Sequence, residues 1–215
     1  MTTESNPDFS IRDSLPDRYL EHLRRTGWND LSPVGRMLYS LTRMCRPETV
    51  VETGVAHGES SSAILCAMNE NAKGHLYSID LPPWEACSYQ PDDPDDPNPL
   101  VSQDGQRHSA NWKKRVGIGC LVPEYLKSRW TLICGDSKAE LPLLLRQIGH
   151  TSFFLHDSLH TYEHMTFELK TAWPAIEQNG LLICHDSIWN NAIHDFSKEI
   201  EHKLVLYYGL GMIRK

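Results

Sequence analysis

The chain has 215 residues, of which 40% are hydrophobic and 23% are charged, the balance of an ordinary globular protein. This length suits one large domain and excludes a chain too short to bury a core, while the composition excludes disordered, collagen-like and coiled-coil classes. A formal net charge of -7 at pH 7 offers no general attraction to nucleic acid or to anionic lipid, so neither is an expected partner.

The cysteines and the N-terminal residues bear on the cellular compartment. No two cysteines form a CxxC pair, and Cys66, Cys134 and Cys184 fall inside apolar runs, so we expect them to be reduced thiols in the core. The first residues, MTTESNPDFSIRDSL, lack a basic start followed by an apolar stretch, and no segment reaches the roughly 18 apolar residues of a membrane span. The sequence therefore predicts a cytoplasmic protein without a membrane segment.

Helix and strand patterns alternate along most of the chain. Residues 1–47 form a helical preface, in which Ser32 is the expected N-cap and Pro33 the first residue of the second helix. From residue 48 onward the alternating segments are TVVETGV, SSSAILCAMNENA, GHLYSIDL, WTLICGD, SKAELPLLLRQIG, SFFLHD, YEHMTFELKTAWPAI, GLLICHD and NNAIHDFSKEIE. The tail KLVLYYGLGMIRK predicts two final strands around a glycine-bearing turn. Such alternation predicts an α/β fold with a parallel sheet covered on both faces.

Residues 82–129 interrupt this alternation. Their proline and aspartate density is that of a long surface loop, and a loop of this length in a compact domain is usually functional or disordered. Because the segment follows the second strand, we expect it above the carboxyl ends of the sheet, where open α/β folds bind ligands. We interpret it as an insertion that serves as a mobile lid, with its acidic run as solvated surface.

A glycine-bearing loop follows the first predicted strand. In VETGVAHGESS, Gly54 and Gly58 let a ligand approach the backbone and the start of a helix, and Asp80 ends the next strand where an acid can bind both ribose hydroxyls. The spacing differs from G-x-G-x-x-G, so pyrophosphate fits poorly, whereas Glu52 would attract the amino group of an amino-acid tail, directly or through water. S-adenosylmethionine combines adenosine with such a tail. The alternative is that the glycines form only a tight turn and that Asp80 caps a loop.

Two apolar runs end in the same three residues, His-Asp-Ser, in FFLHDSLHTYEH and LLICHDSIWNN. Both triplets follow predicted parallel strands, so we expect Asp157 and Asp186 at one edge of the sheet. Carboxylates that face one cleft repel each other unless a proton or cation lies between them, and oxygen ligands bind such a cation. The alternative is that Asp157 caps the helix YEHMTFELK and that Asp186 or Ser187 caps the helix that follows it.

Five blocks, taken in order, carry a resemblance to a known family. VETGVAHGESSSAIL, LYSID, LICGDS, FFLHDSLHTYEH and GLLICHDSIWNNA resemble class I S-adenosylmethionine-dependent methyltransferases, and among them the metal-dependent O-methyltransferases of macrolide and aminocoumarin sugars. The resemblance covers residues 48–215 and implies a Rossmann-like, doubly wound, seven-stranded, mostly parallel sheet with an antiparallel C-terminal strand. It also implies O-methylation of a hydroxyl on a small molecule or natural product, with a divalent metal as a second cofactor.

The resemblance assigns roles to individual residues. It places Glu52 and Gly54 near the methionine tail, Asp80 at the ribose hydroxyls, and Asp136 and Ser137 at the adenine. Asp157 and Asp186 match metal-binding aspartates, but Leu159 stands where relatives often carry a second acid, and His185 where they carry the first residue of an Asp-Asp pair. We keep His185 as an expected ligand. Imidazole suits zinc, iron or manganese better than the Mg²⁺ that the resemblance implies.

The expected reaction is in-line displacement of the sulfonium methyl by an oxygen of a small hydroxylated substrate, oriented by the cation. His160 is the expected general base because its ordinary pKa, near 6.5, suits proton transfer, and Asp157 is the second expected catalytic residue. The helices at 18–27 and 32–46 are candidates to pair protomers in a homo-oligomer. Two alternatives stay open: a different enzyme on the same scaffold, such as a hydroxylase-labelled relative, and a non-catalytic nucleotide-binding protein.

Overall fold

The computed structural model describes residues 15–26, 30–81 and 118–215. Its strands are β1 Thr49–Thr53, β2 His75–Asp80, β3 Trp130–Cys134, β4 Thr151–His156, β5 Ile176–Cys184, β6 Leu204–Tyr207 and β7 Leu210–Arg214. Its helices are α1 Asp17–Arg25, α2 Pro33–Cys45, α3 Glu59–Glu70, α4 Ser137–Ile148, α5 Tyr162–Ala172 and α6 Ala192–Glu199, with 3-10 turns at Glu124–Arg129 and Trp173–Ala175. No helix in these ranges has the length and apolar character of a membrane span.

The described strands form one sheet in the order β3-β2-β1-β4-β5-β7-β6. Strands β1 to β5 are parallel, whereas β7 runs antiparallel to both β5 and β6. The predicted Rossmann-like, doubly wound fold is therefore confirmed. Because the strand order reverses between β1 and β4, a crevice opens there at the carboxyl edge of the sheet, and the loops after β1, β2, β4 and β5 meet around it.

Helices cover both faces of the sheet, so the central strands β1 and β4 are buried at every residue except the first residue of β1. Strand β4 is buried at every residue, and its successive side chains Phe153 and Phe154 enter opposite core clusters. The first cluster lies under α1, α2 and α3, and the second lies under α4, α5 and α6. The sheet is thus held rigidly from both sides, which fixes the positions of the loops at its edges.

The predicted helical preface packs on this same core. Tyr19 of α1 is fully buried, and its hydroxyl lies 2.6 Å from the hydroxyl of Ser62 in α3. Pro33 begins α2, and the Ser32 hydroxyl accepts the backbone N–H of Gly35 at 3.1 Å, so the predicted N-cap is confirmed. The apolar faces of α1 and α2, which we considered for pairing protomers, are therefore used within the chain.

Two expectations from sequence need correction or restriction. Cys66 and Cys184 are buried as expected, but Cys134 is exposed because β3 is the edge strand of the sheet. Residues 82–117 of the expected lid lie outside the described residues. The remainder, residues 118–129, buries Leu121 and Leu126 and packs against α3, so this part belongs to the core and is not a surface loop.

Candidate functional site

The loop after β1 has the backbone geometry that its glycines allow. Gly54 and Gly58 have φ values of +83° and +86°, a region that side chains rarely adopt. The Asp80 carboxylate shapes this loop, because its Oδ2 accepts the backbone N–H groups of Val55 and Ala56 at 2.7 and 2.8 Å. Asp80 therefore caps a loop, as the structural alternative expected, while its Oδ1 takes no part in these two bonds.

The end of the segment that we expected to be a mobile lid holds the other side of this loop. The backbone N–H of Gly119 donates to the carbonyl of Ala56, and that of Leu121 donates to the carbonyl of His57, each at 2.9 Å. A Cβ added to Gly58 would lie 2.9 Å from the Cα of Gly119. The loop is therefore fixed by backbone contacts, which leave no side-chain pattern in the sequence to reveal them.

The β1 loop and the β4 loop touch through their backbones. A Cβ added to Gly54 would lie 2.0 Å from the carbonyl oxygen of Asp157, and only glycine fits such an approach. The backbone N–H of Asp157 in turn donates to the carbonyl of Thr53 at 2.8 Å. The loop with the predicted cofactor glycines is thus in direct contact with the loop of the predicted metal ligand.

Glu52 lies beneath the glycine loop and is fully buried. Its carboxyl accepts hydrogen bonds from the hydroxyls of Ser60 at 2.5 Å, Ser61 at 2.6 Å and Ser78 at 2.6 Å. Burial raises the pKa of Glu52 to about 7, although the three hydroxyl groups act in the opposite direction. The carboxyl is therefore covered, and the half-buried Ser60 lies between it and the solvent-facing side of α3.

The residues assigned to the adenine have structural partners. Asp136 is the N-cap of α4, and its Oδ1 accepts the backbone N–H of Lys138 at 2.9 Å. Because the N–H of Gly135 donates to the carbonyl of Asp80 at 2.9 Å, the exposed Asp136 lies at the same edge of the sheet as Asp80. Ser137 is buried, however, and its hydroxyl lies 3.0 Å from Nε2 of His164, facing the interior.

Four side chains converge beyond the carboxyl ends of β4 and β5. His185 Nδ1 donates to Asp157 Oδ1 at 2.7 Å, and His160 Nε2 lies 3.7 Å from both Asp157 Oδ1 and Asp186 Oδ2. Asp157, His160 and His185 each offer one ligand atom, and the three atoms lie within 4.8 Å of one another. The structure thus brings together the three predicted metal ligands and the predicted base.

The two His-Asp-Ser triplets are not equivalent in space. His156 of β4 pairs with Cys184 of β5, so the triplets are out of step by one residue. As a result, His156 is buried at the end of its strand, whereas His185 lies level with Asp157 and reaches its carboxylate. The repeated His-Asp-Ser sequence therefore places His156 in the interior and His185 in the site.

The capping roles that we considered for Asp157, Asp186 and Ser187 belong to other residues. The N-cap of α5 is Thr161, whose hydroxyl accepts a backbone N–H of the first turn at 3.3 Å. At the start of α6 the Asn190 side chain accepts a backbone N–H at 2.8 Å. Ser187 donates its hydroxyl to a backbone carbonyl at 2.8 Å. Asp157 and Asp186 are therefore left for the cleft.

The pKa values of the two cleft histidines, His160 and His185, shift in opposite directions. Burial alone would lower the pKa of His185, but the hydrogen bond and the charge of Asp157 outweigh it and raise this pKa to about 8. Burial lowers the pKa of His160, and the carboxylates of Asp157 and Asp186 offset only part of the effect. His160 Nε2 is also buried and makes no hydrogen bond with the described residues. The lowered pKa favours a neutral His160 ring, whose Nε2 lies 3.7 Å from each of the two carboxylates.

The sequence around the site matches a known protein family. The family described as "Methyltransferase domain" matches residues 51–187, which span the glycine loop, both aspartates and His160. The chain belongs to this methyltransferase family. No curated protein sequence matches the chain.

Solved structures share the fold of this methyltransferase. SAH-bound PaMTH1 from Podospora anserina is 17% identical, with a TM-score of 0.58 over 100% of this chain and 98% of that chain. An O-methyltransferase from Bacillus cereus in complex with SAH is 12% identical, with a TM-score of 0.59 over 95% of each chain. MycE from the mycinamycin biosynthetic pathway, in complex with Mg and SAH, is 14% identical, with a TM-score of 0.56 over 93% of this chain and 54% of that chain. The fold is that of class I S-adenosylmethionine-dependent methyltransferases, as the sequence blocks predicted.

The methyltransferase also contains a buried carboxylate that we did not single out from sequence. Glu168 of α5 is fully buried and accepts hydrogen bonds from four side chains: Thr53 Oγ1 at 2.6 Å, His156 Nδ1 at 2.6 Å, His164 Nε2 at 2.9 Å and Ser158 Oγ at 2.9 Å. Burial alone would raise the pKa of Glu168, but the hydrogen bonds from His156 and His164 outweigh it and hold this pKa well below its usual range. The only sequence signal is the spacing of His164 and Glu168 on one helix face.

Four exposed apolar side chains lie close in sequence to the cleft residues of the methyltransferase. They are Leu159, Tyr162, Ile188 and Trp189, and Ile188 is 75% exposed. The Trp189 ring centroid lies 5.1 Å from that of His160. Large apolar groups grouped beside a polar cleft indicate a surface that binds something apolar. Leu159 is one of these exposed apolar side chains.

Proposed function

We propose that the chain transfers the methyl group of S-adenosylmethionine to a hydroxyl oxygen of a small molecule, with a divalent metal held by Asp157, His185 and Asp186. One observation carries the proposal: Asp157, His185 and Asp186 converge with His160 next to the glycine loop, and Gly54 touches the backbone of Asp157. The donor loop and the acidic cleft are therefore adjacent, as direct transfer between two bound molecules requires.

The loops after β1, β2 and β3 would hold the cofactor. Gly54 and Gly58 expose the backbone of the turn, Asp80 keeps Oδ1 for the ribose hydroxyls, and the exposed Asp136 lies beside it for the adenine. The Glu52 carboxyl is covered, so its contact with the amino-acid tail would pass through Ser60. Ser137 points to the interior and would contribute to the adenine site only through its backbone.

The donor set of the cleft fits a divalent cation. The proposed donors are the carboxylates of Asp157 and Asp186 and the imidazole of His185, whose Nδ1 lies 2.7 Å from Asp157 Oδ1 and 3.9 Å from Asp186 Oδ2. Such oxygen and nitrogen ligands suit manganese, iron or zinc, and magnesium would rely on the two aspartates. His185 Nδ1–H donates a hydrogen bond to Asp157, and this nitrogen would have to lose its proton before it could bind a metal. A divalent cation bound here would lower the pKa of an acceptor hydroxyl and orient it.

His160 would act as the general base. Its unpartnered Nε2 faces Asp157 and Asp186, and burial keeps the ring neutral, so the nitrogen can accept the hydroxyl proton of an acceptor. The same two carboxylates would then stabilise the protonated ring. The apolar surface formed by Leu159, Tyr162, Ile188 and Trp189 suits an acceptor that carries an apolar body beside its hydroxyl.

Product mass tests the proposal directly. The purified chain is incubated with S-adenosylmethionine, Mn²⁺ or Mg²⁺ and a panel of small hydroxylated acceptors, and the products are analysed by mass spectrometry. We expect a gain of one methyl group that depends on the cofactor. A gain of one oxygen would instead establish the hydroxylase alternative, and tight SAH binding without turnover of any acceptor would favour the non-catalytic one.

A crystal soaked with SAH and Mn²⁺ tests the metal separately. We expect anomalous density for manganese between Asp157, His185 and Asp186. If SAH is bound and no density lies there, metal assistance is wrong while methyl transfer stands.

A further inference from the structure

We propose that Glu168 is a positioning residue, which holds the metal loop and the cofactor loop in their relative places through one buried carboxylate. The inference rests on the proposed function in so far as Asp157 is a metal ligand. Glu168 itself touches neither the cleft nor the glycine loop, so its effect on the reaction would pass through its four hydrogen-bond donors.

Glu168 holds both neighbours of Asp157. His156 Nδ1 donates to Glu168 Oε2 at 2.6 Å, and Ser158 Oγ donates to Glu168 Oε1 at 2.9 Å. The backbone on each side of Asp157 is therefore tied to a single side chain of α5. Because both neighbours are fixed, Glu168 sets the backbone position from which the Asp157 side chain extends, and His185 then holds the carboxylate itself.

Glu168 also holds the end of β1. The Thr53 hydroxyl donates to Glu168 Oε2 at 2.6 Å, and Thr53 directly precedes Gly54 of the cofactor loop. Its carbonyl accepts the backbone N–H of Asp157 at 2.8 Å. One carboxylate thus connects the strand that carries the cofactor loop with the strand that carries the first metal ligand, on the side away from the cleft.

The His156 ring, which packs against His160, is hydrogen-bonded to the same Glu168 carboxylate. With His156 Nδ1–H donated to Glu168, its Nε2 is buried and makes no hydrogen bond with the described residues. The His156 ring packs edge-on against His160, with centroids 5.3 Å apart and an interplanar angle of 74°. Glu168 therefore fixes the orientation of the ring on which His160 rests.

Only a carboxylate satisfies this group of donors. The two hydroxyls and the two ring nitrogens all donate, so the site needs two acceptor oxygens and no N–H of its own. Glu168→Gln keeps the shape of the side chain but directs an amide NH₂ at two of the donors. It therefore disturbs the hydrogen bonds while leaving the packing volume unchanged.

The experiment compares Glu168→Gln with Glu163→Gln, the same substitution at an exposed position of α5. Calorimetric titrations with Mn²⁺ and with SAH, run separately on each full-length chain, measure the two affinities. We expect Glu168→Gln to weaken Mn²⁺ binding about tenfold, the lower end of the range for outer partners of metal ligands, because Glu168 acts through the neighbours of Asp157. SAH binding should weaken less, because the bond from Thr53 is the one hydrogen bond among the described residues that joins Glu168 to the strand before the cofactor loop. Glu163→Gln should match the wild type in both.

A second variant and a spectroscopic measurement cover the remaining outcomes. Ser158→Ala removes one donor and, should Glu168→Gln not fold, carries the test, with weaker Mn²⁺ binding and unchanged SAH binding expected. In ¹⁵N-edited NMR of the imidazoles, Glu168→Gln should shift the Nδ1–H signal of His156 or the Nε2–H signal of His164, whichever faces the new NH₂ group. This measurement needs no metal, so it decides the inference even if the wild type binds no Mn²⁺, an outcome that would refute metal assistance in the proposed function. Unchanged Mn²⁺ affinity and NMR signals in the variant, or equal loss of both ligands, would overturn the positioning role.

Discussion

Replacing Gly54 by alanine should separate the two loops that form the site. The new Cβ would start 2.0 Å from the carbonyl oxygen of Asp157, and ordinary contact begins at 3.4 Å, so the backbones must move apart by about 1.4 Å. The φ of +83° costs an alanine about 1 to 2 kcal/mol, and relieving the overlap adds about 1 to 3 kcal/mol. For a chain of this size, such a loss lowers Tm by about 10 °C. The displaced loop should weaken SAH binding at least tenfold.

Gly149→Ala is the matched control. Gly149 also has a positive φ, +80°, but a Cβ there would meet nothing within 4 Å. This variant should show only the backbone penalty of about 1 to 2 kcal/mol, a fall in Tm of about 2 to 8 °C, with unchanged SAH affinity. Thermal unfolding followed by circular dichroism and SAH titration by calorimetry measure both quantities. Equal Tm values and equal SAH affinities in the two variants would refute the importance of the contact between Gly54 and Asp157.

Three further predictions concern the chemistry of the site. His160→Gln should lower kcat about 10²- to 10⁴-fold without changing SAH affinity. The control is His150→Gln, at an exposed histidine on the opposite edge of the sheet, which should leave kcat unchanged. Equal activity of the two variants would exclude His160 as the base. Asp157→Asn should abolish Mn²⁺ binding in calorimetry and retain SAH binding, and wild-type Mn²⁺ affinity in this variant would contradict the ligand assignment. Burial raises the pKa of Glu52 from 4.5 to about 7, so the folded chain retains a proton that the unfolded chain loses in this window. The free energy of unfolding should therefore fall as pH rises from 4.5 to 7, by on the order of 3 kcal/mol, and Glu52→Gln should flatten the fall; parallel pH profiles for variant and wild type would show that Glu52 is not responsible.

The sheet and the meeting of the aspartates follow from patterns that the sequence displays. Buried parallel strands are near-continuous apolar runs, and their carboxyl ends lie at one edge, so Asp157 and Asp186 could be placed together without knowing any distance. The register of β4 against β5 has no such signal. The different positions of His156, which is buried, and His185, which is in the site, therefore follow only from the pairing of His156 with Cys184.

Contacts between distant segments account for what the sequence did not reveal. Thr53 and Glu168 are separated by 115 positions, and no local pattern marks them as partners. The exposure of Cys134 depends on which strand ends the sheet, and the inward hydroxyl of Ser137 depends on the partner at His164. Residue type and spacing predict elements and edges, whereas these features depend on the strand order and on three-dimensional neighbours.

The backbone contact between Gly54 and Asp157 has a consequence for how this protein can diversify. It joins the glycine loop and the loop of Asp157 into one unit that tolerates little change. The side chains of Leu159, Ile188 and Trp189 lie outside that unit and are 58%, 75% and 44% exposed. Substitutions at Leu159 and Ile188 should therefore alter the acceptors of the proposed enzyme while the contact between the two loops is kept, whereas a substitution at Trp189 also changes the packing against His160. Directed evolution toward new acceptors should begin at Leu159 and Ile188 and leave the glycines untouched.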